Sequence, residues 1–491
     1  MGATAAQLDS LFARESNPHP NPPPAWGRGV VIAVGFLAAS ATPALAHTSE
    51  RAFILLLPTG YYLLGGALAV AASFLILMAI PADRLRRWSD ARLKLVQIAT
   101  PSETATSLVS FAVLVLLILA GYFGSRDPLG KPLPLVVWTI WWVGVTLAHA
   151  LLGNLWRYLN PWIGPFRIAQ RALGRRPLLG YRLGCWPAII GLFAFAWFEL
   201  IHPAPDDPAI LAQAVIAYGV ATWIGMILFG EEPWLAQGET FSVFFALIAH
   251  VAPLQSEQST PERKQFYLTI PGRALAGLPP LAPSGILFVL LTLATVSFDG
   301  LSRTFWWLGL SGVNPLEFPG RSAVMGINSA GLVALWLVLA ALFLACIAIG
   351  RALAGRSEGF WQLAGALAAS ILPISIGYQF AHYLTSSLVN VQYAAIAVTD
   401  PLARGWFDSD ARMDSVTTSF LSNHDSVAVI WNLQAAGIVV GHVIAVLVAH
   451  LITRRQEPDR RAVLASQAPL ATLMVAYTLF GLWLLSTPAA G

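Results

Sequence analysis

INSAGLVALWLVLAALFLACIAIG, residues 327–350, contains no charged side chain. An apolar run of about 18 or more residues is long enough to cross the roughly 30 Å hydrocarbon core of a bilayer as a helix. The chain repeats this pattern. Spans are expected at 57–81, 105–124, 133–153, 184–202, 208–230, 283–299, 327–350, 361–388, 426–453 and 467–487. A closed β-barrel would instead show alternating stretches of about 10 residues, and none is evident. The expected fold is all-α: a polytopic transmembrane helical bundle of about ten spanning helices plus one interfacial or re-entrant helix.

Composition agrees. The chain is 56% hydrophobic and 11% charged, against about 25% charged in soluble domains. The net charge of +4 reports mainly on topology, because basic residues collect in cytoplasmic loops. Blocks of Lys or Arg interleaved with aromatics are missing, so membrane lipids are expected as partners and nucleic acid is not. Cys185 and Cys346 each sit in an apolar segment, where a thiol acts as a small core residue.

Before the first span, VVIAVGFLAAS leads into PALAHTSERAF, residues 43–53. Ala44-Leu45-Ala46 has the small-x-small form of a signal-peptidase site. Residues 1–46 therefore read as a leader with a cleavable signal peptide, and 47–491 as one transmembrane domain. Residues 1–26 are Pro-rich, and Arg28 is the lone basic residue just before the apolar core. Either the true start lies downstream of Met1 or the leader is unusually long. Cleavage after Ala46 would leave His47 as the mature N-terminus, outside the membrane.

The first span then enters, and the loop DRLRRWSDARLK falls inside. Its Arg84, Arg86, Arg87, Arg92 and Lys94 agree with that. So do the Arg-rich loop 154–183 and the later loops bearing Arg351, Arg356, Arg454, Arg455, Arg460 and Arg461. Loops on the other side carry acids: Asp206 and Asp207, then Asp400, Asp408, Asp410 and Asp414. The placement expected is a bacterial inner membrane with the mature N-terminus periplasmic. The short apolar stretch 241–254 would invert every later loop if it crossed. It is therefore read as interfacial or re-entrant on the cytoplasmic side.

Polar groups inside a bilayer are costly, so each is a functional candidate. ISIGYQFAHYLTSSL contains Tyr378, Gln379, His382 and Tyr383, and the next span contains Asn432, Gln434, His442 and His450. His442 and His450 are eight residues apart, about 12 Å of rise, too far to share one ion. Gln379, Gln434 and His450 are candidates for a pore or polar lining. At the outer end come His47, His202 beside Asp206 and Asp207, Asp299 in LATVSFDG, His382, and His424 with Asp425. Imidazole and carboxylate ligate Zn, Cu and Fe. The candidate metal set is His47, His382, His442 and His202, for a divalent Zn or Cu. Asp299 and Asp425 are the candidate catalytic acids. Each has a plain structural alternative: a capped, solvated or hydrogen-bonded helix residue. GNLWRYLNPW, 153–162, reads as an interfacial turn. P-loop, HExxH and GxSxG motifs are lacking.

AHTSERAFILLLPTG, WRYLNPWIGPFR, VSFDG, LPISIGYQFAHYLT, TDPLARGWF and WNLQAAGIVVGHVIAVLVAH together resemble the bacterial integral-membrane fenitrothion hydrolases, over residues 46 to 453. The resemblance implies one of two related membrane subunits acting as a heterodimer that splits an organophosphorus triester. It carries over no catalytic residues, although the matching stretches hold Asp299, His382, His442 and His450. Three functions stay open from the residues: a metal-dependent hydrolase at the periplasmic face acting on a small-molecule substrate, a transporter or metal-handling permease, and a non-catalytic partner subunit. In a copper variant of the first, the amine and ring of His47 bind together with His382.

Overall fold

A computed structural model describes residues 59–489, apart from 124–125, 175, 318–319, 357, 403, 406–411 and 458. The leader 1–46 and His47 lie outside the described residues. The chain opens with α1 (Thr59–Ala79), a short α2 (Ala82–Asp90) and strand β1 (Arg92–Ala99). It continues through α3 (Glu103–Tyr122) and α4 (Pro132–Leu152). The amphipathic α5 (Ile163–Leu173), α6 (Trp186–Leu200), α7 (Pro208–Phe229) and the short α8 (Thr240–Ala249) follow. A hairpin of β2 (Leu254–Thr260) and β3 (Arg263–Thr269) precedes α9 (Pro283–Ser302) and α10 (Arg321–Leu353). Last come α11 (Phe360–Thr399), α12 (His424–Gln456) and α13 (Arg460–Ser486).

Among the described residues, nine helices are long and apolar enough to cross a membrane. The chain is a polytopic membrane protein. The difference from the ten spans expected lies at 184–202. There Pro187 opens α6 and the helix stops after Leu200, leaving 15 residues, about 22 Å at 1.5 Å per residue.

The fold is mostly helical, as expected, and a three-stranded antiparallel sheet, in the order β1-β3-β2, is added to the bundle. Arg92 pairs with Thr269 and Leu254 with Leu268. Both segments had read as basic loops. The sheet puts the loop after α1 and the loop after α8 on one face of the bundle. An even number of crossings must separate them; α3, α4 and α7 are long enough to cross, and the 15-residue α6 must cross with them if α8 turns back. At 10 residues, α8 is too short to do otherwise. Its start is fixed by Glu239, whose carboxylate accepts from the amides of Phe241 and Ser242 and from the Tyr218 hydroxyl.

Side-chain caps start the spans. Ser102 accepts from the Ala105 amide, Asp207 from Ala209 and Ile210, Asn423 from Asp425 and Ser426, and Asp459 from Ala462. Each cap meets backbone N–H groups the helix leaves open. Charges staple the sheet face. Arg167 bridges Glu103 (3.1 Å) and Glu231 (2.6 Å), Arg157 joins Glu103, and Arg356 meets Glu457 at 2.8 Å. At the opposite face Lys131 is wholly buried at the start of α4, donating to the Phe123 carbonyl at 2.8 Å. Burial pulls its ammonium below the ordinary lysine range, against the opposing pull of Asp400.

The centre of the bundle is α9, buried from Ser284 to Ser302 along almost its whole length. It packs on α6, α10 and α11. Lipid is as apolar as leucine, so helices in a bilayer associate by close packing over small residues rather than by a hydrophobic drive. The contact of α11 with α12 shows it. A Cβ on Gly377 would lie 2.6 Å from the Gly437 carbonyl oxygen, and one on Gly441 would lie 2.6 Å from that of Pro373.

Candidate functional site

Helical spacing sets the site. On α11, Gln379, His382 and Tyr383 fall at i, i+3 and i+4, and so on one face. That face meets Asp299, one turn from the C-terminal end of α9 and 2% exposed. His382 Nε2 lies 2.6 Å from Asp299 Oδ2. The Tyr383 hydroxyl is 3.0 Å from the same oxygen and 2.6 Å from Glu199 Oε1, at the end of α6. Arg303, four residues after Asp299, reaches Oδ1 at 2.9 Å. Arg321, opening α10, donates to the Glu199 and His202 carbonyls at 2.7 and 3.4 Å. It thereby satisfies the open carbonyls where α6 ends.

α4 closes the site from another side. It winds as a π-helix from Val136 to Val145, a geometry that is rare and frequent near functional sites. Trp142 lies on this stretch, beside Glu199 and Tyr383. Gln379 donates to the Trp142 carbonyl at 3.4 Å.

Two features govern what the cluster can do. Asp299 fixes the His382 tautomer: Nε2–H donates to the carboxylate, and Nδ1 keeps its lone pair. Nδ1 has no hydrogen-bond partner among the described residues, and the side chain is 26% exposed. An imidazole held this way can act as a general base. Second, Tyr383 offers one proton to two carboxyl groups. The count is met when one of those groups carries a proton of its own.

The other expected residues are spread out. The His202 ring accepts from the Ala204 amide at 3.1 Å and stacks on Phe198, so it shapes the loop after α6. Asp425 is 96% exposed in the first turn of α12, beside His424 at 3.3 Å and away from Asp299. His442 is wholly buried between Tyr378 and Tyr477, with Nδ1 donating to the Ile438 carbonyl at 2.9 Å. His450 Nδ1 meets Gln467 at 3.0 Å, and Gln434 donates to the Ala381 carbonyl at 2.8 Å. Of the residues expected, the structure brings together Asp299, His382, Tyr383 and Gln379.

Glu199, Arg303 and Arg321 escaped the sequence reading. A signal existed for each: an acid inside the apolar run FAFAWFELI, and two arginines on the side where loops are acidic.

Among the described residues, no three His, Cys, Asp or Glu side chains are grouped to hold a metal ion. Two ligands of a tetrahedral ion at about 2.0–2.2 Å lie roughly 3.3 Å apart or more. His382 and Asp299 are closer, at hydrogen-bond distance, and Arg303 takes the other carboxylate oxygen. As placed, the pair is spaced to share a proton.

No family model matches the chain, and neither a curated protein nor a solved structure does.

Proposed function

We propose that this chain is the catalytic subunit of a membrane-embedded hydrolase acting on a neutral, lipophilic ester of the organophosphorus triester class. The observation that carries the reading is the Asp299–His382 pair, with Arg303 on the other carboxylate oxygen. The resemblance to the fenitrothion hydrolases supplies the substrate class. In this scheme His382 Nδ1 takes a proton from water as the water oxygen attacks phosphorus. Asp299 holds the ring and balances the imidazolium. The P–O bond to the aryl group breaks, and His382 returns its proton to the departing phenolate. Arg303 stabilises negative charge growing on the phosphoryl oxygen. The cluster lies on the periplasmic side of a bacterial inner membrane, opposite the basic loops and the sheet. The related membrane subunit implied by the resemblance completes the complex.

The test is release of a chromogenic phenol from an aryl phosphotriester by the purified chain in proteoliposomes. His382→Asn and Asp299→Asn are expected to lower kcat by about 10²–10⁴-fold with unchanged helical circular dichroism. Variants as fast as the parent would reject the scheme.

A transport reading draws on a different observation. Gln434 Oε1, His442 Nε2 and His450 Nε2 are buried without hydrogen-bond partners among the described residues, spaced by eight along α12. Solute uptake that survives His442→Ala would count against it.

A further inference from the structure

On the sheet face, far along the chain from Asp299, a cleft of about 350 Å³ opens between α5, the loop after it and the last turns of α7. Its walls are apolar: Phe166 and Leu173 from α5, Leu178 from the loop, Trp223 and Met226 from α7. The polar side chains lining it are Gln170 and Arg176, and none is acidic. The cleft is built into the fold. α5 stops at Gly174 in a left-handed turn, and the Leu179 amide ties the loop to the Leu228 carbonyl at 2.7 Å.

We propose that this cleft binds one acyl chain of an anionic phospholipid, with the lipid phosphate on Arg176. Three observations support this occupant. The volume falls at the lower end of the roughly 300–1,000 Å³ range of small-molecule sites, enough for one chain and too small for a protein segment with its side chains. The depth suits a lipid: α7 ends at Phe229, so Trp223 and Met226 lie in its last two turns, where the hydrocarbon meets water. The charge suits a phosphate, because Arg176 lines the cleft and is exposed. The inference is independent of the hydrolase reading, since it concerns the opposite face of the bundle.

The full-length chain, delipidated in detergent, is titrated with phosphatidylglycerol or phosphatidylcholine and read by native mass spectrometry. The parent is expected to hold a first phosphatidylglycerol at least fivefold more tightly than phosphatidylcholine. Arg176→Gln should weaken that first lipid about fivefold, the effect of one basic residue near a membrane surface. Ala169→Trp, at an exposed position lining the cleft, should abolish it. Equal affinity for the two headgroups, or an Ala169→Trp chain that binds like the parent, overturns the proposal. The headgroup comparison uses the parent alone and does not depend on how either variant folds.

Discussion

At Tyr383 a single hydroxyl proton faces Glu199 and Asp299. Asp299 also meets Arg303 and His382, so the charge around it favours a carboxylate there and a proton on Glu199. Glu199→Gln keeps a donor and an acceptor in the same shape. It is expected to hold kcat within about threefold of the parent, less than the tenfold that 1.36 kcal/mol would cause. Asp299→Asn removes the charge that supports the imidazolium and should be far slower. Equal losses in the two variants would show that both acids act as carboxylates. Asp299 and His382 were legible in the sequence because a charge or an imidazole in an apolar run stands out. Their partnership was not. Tyr383 lies 84 residues from Asp299 and 184 from Glu199, and nothing local links those positions.

Among the elements, α9 and the α11–α12 contact hold the cluster in place. α9 supplies Asp299 from the centre of the bundle, while α11 supplies His382 and Tyr383. The angle between α11 and α12 depends on Gly377 and Gly441, whose missing side chains let the backbones touch. Gly441→Ala puts a methyl 2.6 Å from the Pro373 carbonyl oxygen. It is expected to cost about 1–3 kcal/mol, as overpacking does, and to lower the thermal unfolding midpoint in detergent. Gly326, inside α10, faces open space. Gly326→Ala should raise the midpoint, since alanine favours the helix by up to about 1 kcal/mol. If the two shifts have the same sign, close packing does not set this contact. The span positions were readable because hydrophobic length is a local property. The shortness of α6 and the π-helical winding of α4 were not, because they depend on what packs beside each helix.

For the whole molecule, the β1–β3 pairing fixes relative sidedness. Single cysteines at the exposed positions Lys94, Gln258 and Asp425 give a direct check, in a chain with Cys185 and Cys346 replaced by serine. Lys94→Cys and Gln258→Cys should react with an impermeant maleimide from the same side of a sealed vesicle, and Asp425→Cys from the other. Gln258→Cys labelled together with Asp425→Cys would mean that α8 crosses. The alternation of basic and acidic loops had already placed α8 on the basic side. The sheet was missed because its strands, RLKLVQIA, LQSEQST and RKQFYLT, are short and charged. β2 and β3 form a local hairpin, but the sheet is completed only when β1 meets β3 across more than 160 residues.

The sequence by itself determined that the chain crosses a membrane many times, where most of those spans lie, and that its basic residues gather in alternate loops. Each follows from the cost of placing charges and open backbone groups in hydrocarbon, which acts residue by residue along one segment. Tertiary structure decided which of the many polar residues form a site. Hydrogen bonds act over about 3 Å, so Asp299, His382, Tyr383 and Glu199 became one cluster only when the packing of α6, α9 and α11 brought them within that range. The same packing left Asp425 in solvent and buried His442 and His450 apart from it.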